Sequence, residues 1–117
     1  VTIAALNGTV AGGAFGMILA CDIRICVPSS KFFYPVMKMG YLPQPSDPKR
    51  LIDLIGPGRA KLMLVAGEKL DSDKAYKFGL IDEVVTVENL IIRAHELLAA
   101  SLSARSDHIT GIKHLMT

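Results

Sequence analysis

Apolar runs broken by glycine set the layout of the first third of the chain. Ile3-Ala4-Ala5-Leu6 is a short apolar run that fits a buried strand, and Asn7-Gly8 supplies turn chemistry after it. Beyond Val10 come Gly12, Gly13 and Ala14, then the apolar run Phe15 to Cys21. This reads as a helix whose first turn is almost bare of side chains. Asp22 to Val27 alternates polar and apolar, the pattern of a half-buried strand. Pro28-Ser29-Ser30 ends it, and Lys31-Phe32-Phe33-Tyr34 predicts another short strand. Pro35 to Gly40 reads as irregular. Pro43, Pro45 and Pro48 then fix φ at three points and push the residues before them toward extended shapes. The segment 43–48 is therefore expected to be a stiff loop, with a helix beginning only at Lys49.

Helical spacing governs the remainder. Lys49 to Ile55 forms a short helix ending at Gly56, and Pro57 fits the first position of the next, which runs to Ala66 and is apolar enough to be buried. Asp71 fits a helix N-cap, and Gly79 a left-handed terminus after Phe78. Leu80 to Val85 returns to extended form. Thr86 caps a long helix with Leu90, Ala94, Leu97, Leu98 and Leu102 in one stripe, and Ser106 caps a last helix carrying Ile109, Ile112 and Met116. The layer pattern is α/β.

Composition narrows the function classes. The chain is 50% hydrophobic and 21% charged over 117 residues, which indicates a packed globular unit, one domain or part of one. A net charge of +2 and the absence of Trp argue against nucleic acid or an anionic membrane as partner. Residues 1–21 carry no charge, but Asn7-Gly8 and Gly12-Gly13 divide them, which favours strand plus helix over a membrane span. Neither a basic leader nor a small-residue cleavage site precedes them. Cys21 and Cys26 match no zinc spacing, and His95, His108 and His114 lie far downstream, so no metal site is expected. Both cysteines read as free thiols in a reducing compartment, with the cytoplasm as default. A chain opening on a buried strand, with few later strands to pair it, reads as a fragment of a longer domain.

The candidate chemistry sits in the glycine segment. Helix-starting N–H groups have no intrahelical partner, and glycines let another atom approach them, which suits an oxyanion or a phosphate. Close packing of helices or chains would explain the same small residues. Glycines at 8, 12, 13 and 16 fail the dinucleotide fingerprint, and Ala14-Phe15 after Gly13 fails the P-loop pattern.

The run IAALNGTVAGGAFGMILACD resembles the oxyanion-hole segment of the crotonase (enoyl-CoA hydratase/isomerase) superfamily. The likeness continues through Phe32–Pro35, Gly40-Tyr41-Leu42-Pro43, Arg50-Leu51, Ile55–Ala60, Ala66-Gly67 and Ala75–Val85. It implies a spiral of β-β-α units with helices building a trimer interface. It divides the chain into a spiral portion, 1–85, and a helical C-terminal portion, 86–117, of a domain lacking its N-terminal part and its last helices. It further implies that the backbone N–H of Gly13 is one of two donors to the thioester oxygen of a coenzyme A substrate, the second coming from an earlier loop absent here. Gly12, Gly13, Pro35, Val36 and Leu42 would line the substrate site. Coenzyme A enters as part of the substrate, and no separate cofactor is implied.

The resemblance also marks departures. Hydratases of the family hold water between two glutamates, and the matching positions here are Gly16 and Val36, neither of which can carry a proton. A third position, where related isomerases and a dehalogenase carry Asp, is Gln44, able to orient a group but not to act as base. Asp47 is the nearest carboxylate and also fits a solvated turn residue before proline, facing water. Lys49, Arg50, Arg59 and Lys61 could meet coenzyme A phosphates or simply solvate a helix face. His95 is expected at the surface, His108 and His114 fall on different helix faces, and Ser46 lacks a histidine nearby in sequence. The expected function is an acyl-CoA thioester enzyme of the isomerase, lyase or hydrolase kind, stabilising an enolate at Gly13, with Gln44 and Asp47 as further catalytic candidates. A non-catalytic crotonase-like binding or assembly protein is the alternative, and an unrelated α/β interaction domain is a third. The expected assembly is a homotrimer or hexamer.

Overall fold

The computed structural model describes residues 1–117, and its first two units are built alike. β1 (Ile3–Leu6), β2 (Thr9–Ala11) and α1 (Gly13–Leu19) are followed by β3 (Ile23–Cys26), β4 (Lys31–Phe33) and α2 (Val36–Met39). Each β-β-α turn places its first strand in one sheet and its second in another. β1 pairs in parallel with β3, Ile3 opposite Ile23, and β2 in parallel with β4, Val10 opposite Phe32. The stack is a spiral because each turn lays its strands beside those of the turn before.

The chain then leaves the sheets for α3 (Asp47–Ile55) and α4 (Pro57–Leu64), and returns through β5 (Leu70–Asp71), α5 (Ser72–Phe78) and β6 (Glu83–Val84). β5 adds antiparallel to β4, and β6 adds parallel to β3, giving two three-stranded sheets. β6 falls within the segment 80–85 expected to be extended, whereas β5 was not foreseen. They are only two residues long, too short to show an alternating pattern. A 3-10 turn (Val87–Asn89), α6 (Leu90–Leu102) and α7 (Ser106–Leu115) complete the chain.

Local signals account for the element ends. The Asp71 carboxylate accepts the Lys74 N–H at 2.8 Å as N-cap of α5, and Gly79 closes that helix at φ 88°. Several boundaries differ from expectation: Thr86 precedes the 3-10 turn and Asn89 stands at the N-cap of α6, while Ser106 is the first residue of α7, after Arg105. Residues 36–39 form one helical turn stopped by Gly40 at φ 75°. α3 begins at Asp47 and not Lys49, since Pro48 falls within its first turn, where a missing N–H costs no helical hydrogen bond. α4 buries only Ala60 and Met63 and leaves Val65 exposed, so it is a surface helix despite its composition.

The main core lies between α1, the second sheet and α3 to α5, with Phe15, Phe32, Leu51, Met63, Leu70 and Leu80 essentially inaccessible. A smaller cluster, Ile25, Val27 and Leu90, joins the other sheet to α6. Arg24, read as part of a polar strand face, is buried instead. Its Nε donates to the Leu80 carbonyl at 2.9 Å and its Nη1 to the Cys21 carbonyl at 2.6 Å. The guanidinium satisfies carbonyls at the end of α1 and before β6 that would otherwise be buried without donors.

Candidate functional site

α1 starts where β2 ends, and Gly12 makes the turn between them. Its φ of 59° and ψ of −127° lie where residues bearing a Cβ are strained, so glycine is required there. Gly13 is the first helical residue. Its N–H belongs to the set that has no carbonyl one turn behind it within the helix. Gly12 and Gly13 line an open cleft of about 180 Å³ together with Tyr34, Tyr41, Leu42 and Gln44. Four sequence candidates, Gly12, Gly13, Leu42 and Gln44, are therefore brought together. Gln44 is exposed, and its backbone N–H donates to the Tyr34 hydroxyl at 3.3 Å.

Asp47 corrects an expectation. It does not face water but is 3% exposed, beneath the cleft. The Tyr34 hydroxyl donates to Asp47 Oδ2 at 2.6 Å, the length of a charge-assisted bond. None of the ion pairs in the structure includes Asp47. What offsets its burial is the phenol and its place in the first turn of α3, where backbone N–H groups lie unpaired.

Room for that carboxylate comes from Gly16. A Cβ built on Gly16 would stand 2.7 Å from Asp47 Oδ2 and 3.0 Å from Oδ1. The position that resembles a family glutamate is thus empty of side chain because Asp47 fills its space. Tyr34 was not singled out by sequence. It had read as the end of a strand, and its role depends on Asp47, thirteen residues on. Its ring packs on Phe15 with centroids 5.6 Å apart, which fixes the hydroxyl between α1 and α3. Burial, and then the hydrogen bond to Asp47, hold its phenol above the usual tyrosine range.

Pro35 and Val36 part company with the rest. Val36 is 4% exposed and packs into the main core, so it lines neither cleft; a one-turn helix beginning there rotates it inward. Pro35 lines a second cleft of about 290 Å³, apolar through Phe33, Met37 and Met39, with Lys38 and Lys69 beside it. Arg59 is committed elsewhere, stacked 4.6 Å over the Phe78 ring and donating to the Lys77 and Phe78 carbonyls. His95, His108 and His114 are exposed. No cluster of three or more His, Cys, Asp or Glu could hold a metal ion. No helix is long and apolar enough to cross a membrane.

Comparison with known proteins places this geometry. The enoyl-CoA hydratase/isomerase family matches residues 1–117. A crotonyl-CoA hydratase of Syntrophomonas wolfei is 35% identical over 101 residues, covering 86% of this chain and 39% of the relative. A carnitinyl-CoA dehydratase of Citrobacter koseri is 31% identical over 113 residues, covering 97% and 43%. Among solved structures, DspI of Pseudomonas aeruginosa superposes with a TM-score of 0.90 at 34% identity, covering 97% of this chain and 47% of its own. A Thermobifida fusca protein solved in complex with CoA gives 0.91 at 26% identity, covering 97% and 44%. The chain thus spans about two fifths of the length of the sequence relatives named here. Match, identity and superposition agree with the spiral: the chain belongs to the enoyl-CoA hydratase/isomerase (crotonase) family.

Proposed function

We propose that the full-length protein binds an acyl-CoA thioester in the Gly12–Gly13 cleft and stabilises its enolate with the Gly13 N–H. The observation that carries this is the convergence of Gly12, Gly13, Leu42 and Gln44 on one cleft at the start of α1. Support comes also from the Thermobifida fusca neighbour, which was solved with CoA. An N–H donor aimed at a developing oxyanion typically contributes about 2.7–4 kcal/mol of transition-state stabilisation. Gln44 orients a substrate group or water from the cleft wall, and the buried Asp47 is the carboxylate nearest to it. The reaction is an isomerisation, lyase or hydrolysis step and not two-glutamate hydration, because Gly16 and Val36 carry no proton. Self-association as a trimer or hexamer belongs to the same reading, supported by Ile91, Ile92, Leu115 and Met116, all more than half exposed.

Calorimetric titration of the full-length protein with butyryl-CoA, beside a crotonyl-CoA hydration assay, tests this. Expected are saturable binding and hydration below the range of about 1–10³ per second common to enzymes. Failure to bind butyryl-CoA refutes the thioester site. Hydration within that range refutes the departure from two-glutamate chemistry. The non-catalytic alternative is favoured by Gly16 and Val36 alone, and it predicts binding with no turnover of any acyl-CoA.

A further inference from the structure

We infer that the Tyr34 hydroxyl, backed by the buried carboxylate of Asp47, is the proton-transfer group of this cleft. The inference rests on the thioester reading of the cleft and names the group that would do its acid–base work. Three observations meet at one point. Tyr34 is a wall of the cleft that also holds Gly12 and Gly13. Its hydroxyl is held on both sides, accepting from the Gln44 N–H at 3.3 Å and donating to Asp47 Oδ2 at 2.6 Å. Asp47 is buried without a cationic partner, and Gly16 leaves the space it occupies. A carboxylate so placed is costly unless it serves a partner, and its one side-chain partner is the phenol of a residue that lines the cleft.

The step balances without any further reagent. The α C–H bond of the bound thioester breaks and its proton passes to the phenolic oxygen. At the same time the phenolic proton passes to Asp47 Oδ2, so tyrosine stays neutral and the aspartate becomes a carboxylic acid. The electron pair from the C–H bond moves into the enolate, whose charge rests on the thioester oxygen at the Gly13 N–H. Running the relay backwards delivers a proton to carbon and restores the carboxylate. Tyr34 is the catalytic residue in this scheme, and Asp47 is a positioning residue and proton store acting through it. The titratable groups acting on the phenol are Asp47 from α3 and Tyr41 from the cleft rim.

The test uses the full-length protein and butyryl-CoA in D₂O, with α-deuterium incorporation followed by mass spectrometry and affinity by calorimetry. Tyr34→Phe keeps the ring that packs on Phe15, and it is expected to slow exchange by about 10²-fold or more with affinity within about threefold, the loss typical of a removed acid–base group. Asp47→Asn should slow exchange comparably and lower the pH at which the most resistant tyrosine ionises, read from absorbance near 295 nm. Should either variant fail to fold, Gly16→Ala displaces the carboxylate without touching the phenol and should give the same loss. Exchange in Tyr34→Phe within about threefold of the parent overturns the inference, as does a parent protein that binds butyryl-CoA but exchanges no α-proton. Absence of butyryl-CoA binding overturns the thioester reading itself, a result visible before any variant is made.

Discussion

Replacing Gly16 by alanine sets two effects of known sign against each other. Gly16 lies inside α1 at an ordinary helical φ, where alanine is favoured by about 0.5–1 kcal/mol. The new methyl would stand 2.7 Å from Asp47 Oδ2, so the carboxylate must retreat by 0.7 Å to reach the 3.4 Å at which ordinary contact begins. A retreat of that size stretches or breaks the 2.6 Å bond from Tyr34, and hydrogen bonds to charged groups contribute about 1.5–3 kcal/mol. Overpacking of a filled interior costs a similar amount, about 1–3 kcal/mol. The collision therefore outweighs the helix gain, and Gly16→Ala is expected to lose about 1–2 kcal/mol. In an Asp47→Ala background the three atoms nearest the new methyl, all of the Asp47 carboxyl, are gone, and the same substitution should become stabilising by about 0.5–1 kcal/mol. The difference, a coupling of about 1.5–3 kcal/mol, is large for two residues thirty-one positions apart in sequence but ordinary for side chains in contact. Urea denaturation of the four proteins measures it, with midpoints compared at constant slope. If Gly16→Ala shifts the midpoint in the same direction in both backgrounds, the carboxylate does not sit against α1 and the account of the site fails.

Two further outcomes concern the scaffold. Lys113 Nζ lies 2.8 Å from Asp22 Oδ1, and this hydrogen bond first of all holds the Asp22 carboxyl below its ordinary range. A depressed folded value adds stability that is present above the unfolded carboxylate pKa of about 3.9 and fades as pH falls through the folded one. Asp22→Asn should thus destabilise at pH 7 but hardly at pH 2, and less in high salt because the pair is partly exposed; an effect independent of pH contradicts the assignment. Arg24→Met keeps the aliphatic packing but strips the donors from the Leu80 and Cys21 carbonyls, with an expected loss of about 2–4 kcal/mol in urea. Butyryl-CoA affinity should be unchanged, since Arg24 lines neither cleft, and a large affinity loss would show that the spiral relays strain to the site.

What the sequence revealed was local, and what it concealed depended on distant partners. Asp71 and Gly79 could be read because cap and stop signals act within a few residues of themselves. The glycine-walled start of α1 was legible for the same reason, together with the family resemblance carried by the surrounding motif. Arg24 looked like a surface residue because strand alternation says which face a side chain takes, not which carbonyls wait on that face. Val36 looked like part of the cleft because its position in the motif is; a helical turn from Val36 to Met39 turned it into the core. Asp47 before Pro48 is a common pattern for a solvated turn, and nothing within five residues contradicts that. Its burial depends on a missing side chain at Gly16 and a hydroxyl at Tyr34, which the spiral brings to α3 from two different turns.

The same geometry bears on the proposed departure from two-glutamate chemistry. A glutamate at position 16 would begin with a Cβ already inside contact distance of both Asp47 oxygens. That overlap must be relieved by displacing Asp47, and a second carboxylate beside it would oppose its ionisation. At position 36 a glutamate would point into a core formed with Phe15, Phe32 and Leu51, where an ion without a partner is too costly to hold. Both places that would carry a water-activating carboxylate are closed, one by Asp47 and the other by apolar packing. The first turn of α3 is where the fold sets an ionisable group against the hydroxyl of a cleft-lining tyrosine, the pair on which the proposed relay rests.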